Sequence, residues 1–154
     1  VDIGGRTMDY VVVKEQGVVH ASSGSLQCGM LNVKQLVSDE IQVRFDLESI
    51  NERLVDYAVQ HNTIRLRGTD HDIAELVTVA KREVVERIHQ ETRRQLGLGV
   101  ELDRVLFVGG GAVELAEDIA NWYPHQSVAP HPAFANARGM FKYLRYVCEA
   151  SDVA

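Results

Sequence analysis

Two short stretches of this chain hold residues whose types and spacing suit phosphate chemistry: V-D-I-G-G-R-T-M-D at positions 1–9 and V-G-G-G-A at positions 108–112. In the first, Asp2 offers a carboxylate at the end of an apolar run. Gly4 and Gly5 let backbone N–H groups approach phosphate oxygens with no side chain between, and Thr7 adds a hydroxyl. A carboxylate oxygen is the ligand type that Mg²⁺ prefers, met through water because that ion dehydrates reluctantly. A pair of glycines after a strand equally suits a plain tight turn. The bracket of Asp2, Thr7 and Asp9 is more specific, because the turn it surrounds leads straight into the strand-like residues Tyr10, Val11, Val12 and Val13. Rossmann and P-loop fingerprints open a helix at their glycines instead. In the second stretch, three glycines end the apolar run of residues 103–108 and precede a segment expected to be helical from about Ala112. The first N–H groups of a helix are unpaired and its dipole favours an anion or a ribose. A turn needed only for packing is the alternative there.

The elements that must position these residues follow from apolar spacing. Residues 1–4 and 8–14 read as strands, 15–17 as a turn and 18–22 as a third strand, giving an antiparallel meander. The residues on both faces of that meander are largely apolar, so both faces are expected to be covered. Residues 23–29 read as loop. Met30, Val33, Val37 and Ile41 fall at helical spacing and are expected in the core. Asp46 is expected to cap a second helix with Leu47, Ile50, Leu54 and Tyr57 on one face, and residues 62–67 alternate as a short exposed strand. The longest helix is expected from Thr69 or Asp70, with Ile73, Leu76, Val77, Ala80, Val84 and Ile88 on one stripe and a left-handed stop near Gly97 and Gly99. Beyond the second glycine turn, Val113, Ala116, Ile119 and Ala120 are expected inward on a helix ended by Trp122, Tyr123 and Pro124. An edge strand at 126–128 and a last helix carrying Phe134, Ala137, Phe141, Leu144 and Cys148 complete the chain.

Composition narrows the class. A chain of 154 residues, 45% hydrophobic, has the size of one domain with its own core. Its net charge of −6 argues against direct nucleic-acid binding, and Arg82, Arg87, Arg93 and Arg94 read as a solvated helix face. Cys28 and Cys148 lack a CxxC neighbour, so neither a zinc site nor a disulfide framework is indicated, and a reducing, cytoplasmic setting is expected. No apolar run is long enough for a membrane span. The six histidines show no ligand spacing. The chain starts at Val1, already at the end of an apolar strand, and reads as a piece of a longer protein.

D-I-G-G-R-T-M-D resembles the second phosphate motif of the actin, sugar-kinase and heat-shock-chaperone ATPase superfamily, and F-V-G-G-G-A at 107–112 resembles its adenosine motif. P-A-F-A-N-A-R-G-M-F-K-Y at 132–143 resembles its closing helix motif, in the same order along the chain. The G-G-x-T-x-D form with N-A-R-G is most similar to the ParM or StbA plasmid-segregation actins, of which the chain would be the C-terminal half. The resemblance implies an α/β, ribonuclease-H-like actin-ATPase domain, a mixed sheet flanked by helices. A small helical subdomain would be inserted at about 45–70. ATP or ADP and Mg²⁺ are the implied ligands. Gly4, Gly5, Arg6, Thr7 and Asp9 would meet the phosphates, and Gly109, Gly110, Gly111 and Ala112 the adenosine. Asp2 would be the catalytic and metal-orienting carboxylate, acting through water. Asp9 could instead fix the turn, and Arg6 could face solvent or a neighbouring subunit. Gly24 and Gly29 are secondary candidates near the nucleotide, and Lys81 or Arg82 could reach the adenine or ribose or simply face water. Self-assembly into filaments, a DNA-bound adaptor protein, and no direct contact with nucleic acid or membrane are the implied partners. The first phosphate loop and the group that positions the attacking water would come from the other half, so this half alone is expected to be inactive. A small-molecule kinase of the same superfamily and a noncatalytic scaffold are the alternatives.

Overall fold

A central strand, β1 (Asp2–Ile3), carries the carboxylate and has neighbours on both sides. The computed structural model describes residues 1–15 and 17–151. On one side β1 pairs antiparallel with β2 (Met8–Tyr10), Asp2 opposite Asp9 and Ile3 opposite Met8, and β2 continues to a further strand over Gly24–Leu26. On the other side Asp2 bridges in parallel to Val108, with Ile3 N–H donating to the Val108 carbonyl and Val108 N–H to the Val1 carbonyl, both at 2.9 Å.

The third strand of the meander falls later than the sequence suggests. Residues 13–18 leave the sheet as a hairpin of β3 (Val13–Lys14) and β4 (Gly17–Val18), a single 3-10 turn follows over His20–Ser22, and β5 is Gly24–Leu26. Its Ser-Gly-rich composition hides it, yet glycine is what the pairing requires: a β-carbon at 24 would lie 2.6 Å from the Tyr10 hydroxyl oxygen. The excursion also explains why Val11, Val13 and Val18 are exposed rather than covered. Beyond β1, β8 (Val105–Phe107) and β9 (Gln126–Val128) run parallel. The strand order is therefore β5-β2-β1-β8-β9, antiparallel on one flank and parallel on the other.

Two long helices form the core with this sheet. α1 (Met30–Phe45) buries Met30, Val33, Val37 and Ile41, and α3 (Ala74–Leu96) buries Leu76, Val77, Ala80, Val84 and Ile88, as their spacing predicts. Ile3, Met8 and Phe107 meet them from the sheet, fully buried. Full burial of each such side chain contributes about 1.5–3 kcal/mol. Gly97 ends α3 with a positive φ.

The intervening segment departs from expectation in two places. Asp46 caps no second helix; it ends α1 in a left-handed conformation, its N–H bonded to the Gln42 carbonyl. α2 (Glu52–His61) starts five residues later, where the Asn51 side chain accepts from Arg53 N–H at 2.9 Å. Leu47 and Ile50 still pack on the core, but from the connection, and Tyr57 is half-exposed against His61. β6 (Thr63–Leu66) is the expected strand, and β7 (Thr69–Asp72) takes residues expected to open the long helix. Arg67 and Gly68 both have positive φ, the pair of conformations a two-residue hairpin turn requires. Asp72 then accepts from Ala74 N–H at 2.9 Å as α3 begins.

After the glycine turn, α4 (Gly111–Glu114) is only four residues long. Ala112, Leu115 and Ile119 face the core while Val113, Ala116 and Ala120 are exposed, so the expected inward set is correct only at Ile119. α5 (Ala135–Ser151) closes the described chain. Phe134 just before it, and Phe141 and Leu144 within it, expected as one apolar stripe, are exposed. No helix among the described residues is long and apolar enough to cross a membrane.

Candidate functional site

The loop at residues 4–7 is locked from below. Gly4 N–H donates to the Thr7 carbonyl at 2.8 Å, closing the turn, and the carbonyls of Gly4 and Gly5 accept from the Met30 and Leu31 N–H groups at 3.1 and 2.7 Å. The first turn of α1 is thus capped by the loop itself, which satisfies N–H groups that a helix start leaves unpaired. Gly29 makes this approach possible, since a β-carbon there would lie 2.6 Å from both carbonyl oxygens. Its N–H donates to Asn32 Oδ1 at 2.9 Å, holding the helix start.

With both carbonyls turned toward α1, the N–H groups of Gly5 and Arg6 bond no acceptor among the described residues. Of the two glycine N–H groups singled out by sequence, that of Gly5 is open and that of Gly4 is already bonded. Thr7 Oγ1 donates to Asp9 Oδ2 at 2.9 Å, which fixes the hydroxyl proton and leaves oxygen lone pairs free. Arg6 is exposed and makes no ion pair among the described residues.

The second glycine turn lies directly against Asp2. Gly109 has φ +90°, and a β-carbon there would collide with Asp2 Oδ1 and the Ile3 carbonyl; one at Gly111 would lie 2.5 Å from Ile3 Cγ2. Gly110 has open space around it, and Ala112 is buried. The two motifs, a hundred residues apart in sequence, therefore meet at the end of β1. The helix beyond the second is too short to act as a dipole, so what the turn offers is close backbone approach.

A residue not chosen from the sequence joins them. Asn136 Nδ2, in the first turn of α5, donates to Asp2 Oδ2 at 2.7 Å. The neighbouring loop is tied in as well: Arg138 donates to the carbonyls of Pro130 and His131, while Gly109 N–H donates to the Pro132 carbonyl at 2.9 Å. The only sequence signal for Asn136 is its place inside N-A-R-G. Of the secondary candidates, Gly29 lies at the loop, whereas Gly24 lies against the Tyr10 ring. Lys81 is half-buried and Arg82 exposed on α3. Among the described residues no group of three His, Cys, Asp or Glu side chains could hold a metal by itself, so a metal at Asp2 would take its other ligands from water and substrate.

The sheet order, with two glycine turns converging on an aspartate at the end of its central strand, defines an actin-like α/β domain. The chain belongs to the archaeal MreB-like actin homologues, whose C-terminal family model matches residues 1–121. No curated protein sequence matches it. Among solved structures, a non-polymerisable quadruple mutant of pCBH ParM superposes with a TM-score of 0.84 at 20% identity, covering 94% of this chain and 45% of that one. A 15-stranded ParM filament from Clostridium botulinum gives 0.83 at 20% identity, with 93% and 44% covered. The archaeal actin homologue Ta0583 in complex with ADP gives 0.81 at 21% identity, with 95% and 48% covered. The chain thus spans about half the length of these proteins.

Proposed function

We propose that this chain is one jaw of a nucleotide clamp in an actin-like ATPase, holding Mg-ATP or Mg-ADP against a second jaw that the chain does not contain. The observation that carries the reading is the convergence at Asp2: a half-buried carboxylate, the open N–H groups of Gly5 and Arg6, and a glycine turn whose missing side chains leave the approach clear. That donor set fits a polyphosphate with one hydrated cation, since Mg²⁺ in such sites takes one or two carboxylates and fills its shell with water and phosphate oxygens. When bound, Mg²⁺ neutralises charge building on the phosphate oxygens. The chain's own share is to position. Gly5 and Arg6 N–H groups hold phosphate oxygens, Asp2 orients the metal's water, Thr7 offers its lone pairs with Asp9 fixing its proton, and residues 109–112 receive the adenosine.

In the whole protein, nucleotide binding would drive assembly into filaments in the cytoplasm that segregate plasmids through a DNA-bound adaptor. The filament of the similarly folded ParM supports this reading. α2 and the β6–β7 hairpin would form its small inserted subdomain. The isolated chain would bind nucleotide weakly and turn over negligible ATP, because each 1.4 kcal/mol of lost contact is about tenfold in affinity. The test is ATP turnover with light scattering on the protein that contains this chain together with its other half. ATP-dependent scattering that rises and decays, lost in Asp2→Ala, is expected; scattering indifferent to nucleotide would overturn it.

A further inference from the structure

The Asp2 carboxylate is held from two sides, by the glycine turn and by α5, and the nucleotide reading gives the α5 side no part. Oδ1 lies against the backbone of Gly109, and Oδ2 accepts from Asn136 Nδ2 at 2.7 Å. The hydrogen bond on one oxygen and the close glycine backbone beside the other limit the orientations open to the carboxylate. Asparagine in the first turn of a helix ordinarily bonds its own backbone. Here the bond that Asn136 makes is to a side chain 134 positions away. The root of α5 is tied to the glycine turn, because Arg138 donates to the Pro130 and His131 carbonyls and Gly109 N–H donates to the Pro132 carbonyl.

We propose that Asn136 is a positioning residue: it orients the Asp2 carboxylate from α5, leaving the remaining lone pairs of that carboxylate for the hydrated metal of a bound nucleotide. The inference rests on the nucleotide clamp proposed above. Groups that orient a metal-facing carboxylate typically influence metal affinity about 10–100-fold when removed. Asn136 is itself exposed, so its substitution leaves the core untouched.

The experiment measures ATP affinity with Mg²⁺ and with EDTA, on the whole protein and on its Asn136→Leu, Asn136→Gln, Asp2→Ala and doubly substituted Asn136→Leu/Asp2→Ala forms. Asn136→Leu is expected to lose about 10–100-fold in the affinity gain that Mg²⁺ brings, with affinity in EDTA unchanged. Asn136→Gln, which keeps a donor amide, is expected to retain more of it, and Asn136→Leu is expected to have no further effect once Asp2 is alanine. A nucleotide-free readout accompanies this: the side-chain amide resonances of Asn136 should shift and exchange faster in Asp2→Ala. A wild-type protein with no Mg²⁺-dependent ATP binding would overturn the clamp and this role with it. A wild type that binds, with Asn136→Leu unaltered, equally weakened in EDTA, or additive with Asp2→Ala, would overturn the positioning role alone. Amide resonances indifferent to Asp2→Ala would also overturn it.

Discussion

The backbone of Gly109 packs against the side chain of Asp2 so closely that a β-carbon at 109 would collide with Oδ1, and it does so with φ +90°. Gly109→Ala therefore meets two obstacles, a left-handed backbone and an occupied space, each costing about 1–3 kcal/mol. Gly110, one residue on, has helical dihedrals and nothing within 4 Å of a β-carbon. Thermal unfolding should show Gly109→Ala destabilised by about 2–4 kcal/mol and Gly110→Ala within about 0.5 kcal/mol of wild type. Equal effects at the two positions would contradict this geometry.

The same contrast shows what the sequence made legible. The cores of α1 and α3 could be read because Val33, Val37 and Ile41, or Val77, Ala80 and Val84, recur at the helical period whatever surrounds them. β5 and β7 could not, because Gly24-Ser25-Leu26 and Thr69-Asp70-His71-Asp72 have no apolar alternation of their own; their pairing partners impose the strand. Asp2 and the glycines stand out by residue type. Asn136 does not, because an asparagine beside a helix start looks like a local cap and its partner is remote in sequence.

His89 on α3 stacks on Trp122, centroids 4.4 Å apart, and Trp122 in turn meets the edge of Phe107 on β8. Burial, aided by the Arg93 charge, lowers the His89 pKa from its ordinary 6.5. The folded state therefore keeps this imidazole neutral to a lower pH than the unfolded chain, which protonates it as pH falls through 6.5. Its contribution to stability is present above that pH and is lost as pH falls through it. Unfolding by urea at pH 7.5 and pH 5 should show a smaller difference for His89→Phe, which keeps a ring on Trp122, than for wild type. An unchanged difference would mean that the ring titrates as in the unfolded chain.

Two ion pairs separate by the environment of a single oxygen. Lys34 Nζ lies 2.6 Å from Asp56 Oδ1, joining α1 to α2, and that oxygen is shielded from water with no other partner among the described residues. Arg65 and Asp70 pair across the β6–β7 hairpin with both side chains about two-thirds exposed. Lys34→Met leaves a shielded carboxylate oxygen unpaired and should cost about 1–3 kcal/mol, whereas Arg65→Ala should cost about 0.2–1 kcal/mol. Replacing Asp56 by leucine in the Lys34→Met background should recover much of the loss. A double variant as unstable as the single one would locate the penalty in packing.

Gly29 offers the last test, because its constraint is one of space and not of dihedral angle. Its φ of −165° is extended backbone that any residue adopts, yet a β-carbon would press within 2.6 Å of the Gly4 and Gly5 carbonyl oxygens. Those carbonyls accept the first N–H groups of α1, so Gly29→Ala must lengthen two hydrogen bonds or tilt the loop. The expected cost is about 1–3 kcal/mol, and the displacement falls on the segment that presents the Gly5 and Arg6 N–H groups. Gly5→Ala is the control: its β-carbon would meet only Leu31 side-chain carbons, at 3.7 and 3.9 Å, an ordinary contact. Hydrogen exchange at Met30 and Leu31 should speed up in Gly29→Ala and stay near wild type in Gly5→Ala. Slow exchange at both residues in Gly29→Ala would show that the loop yields without releasing the helix.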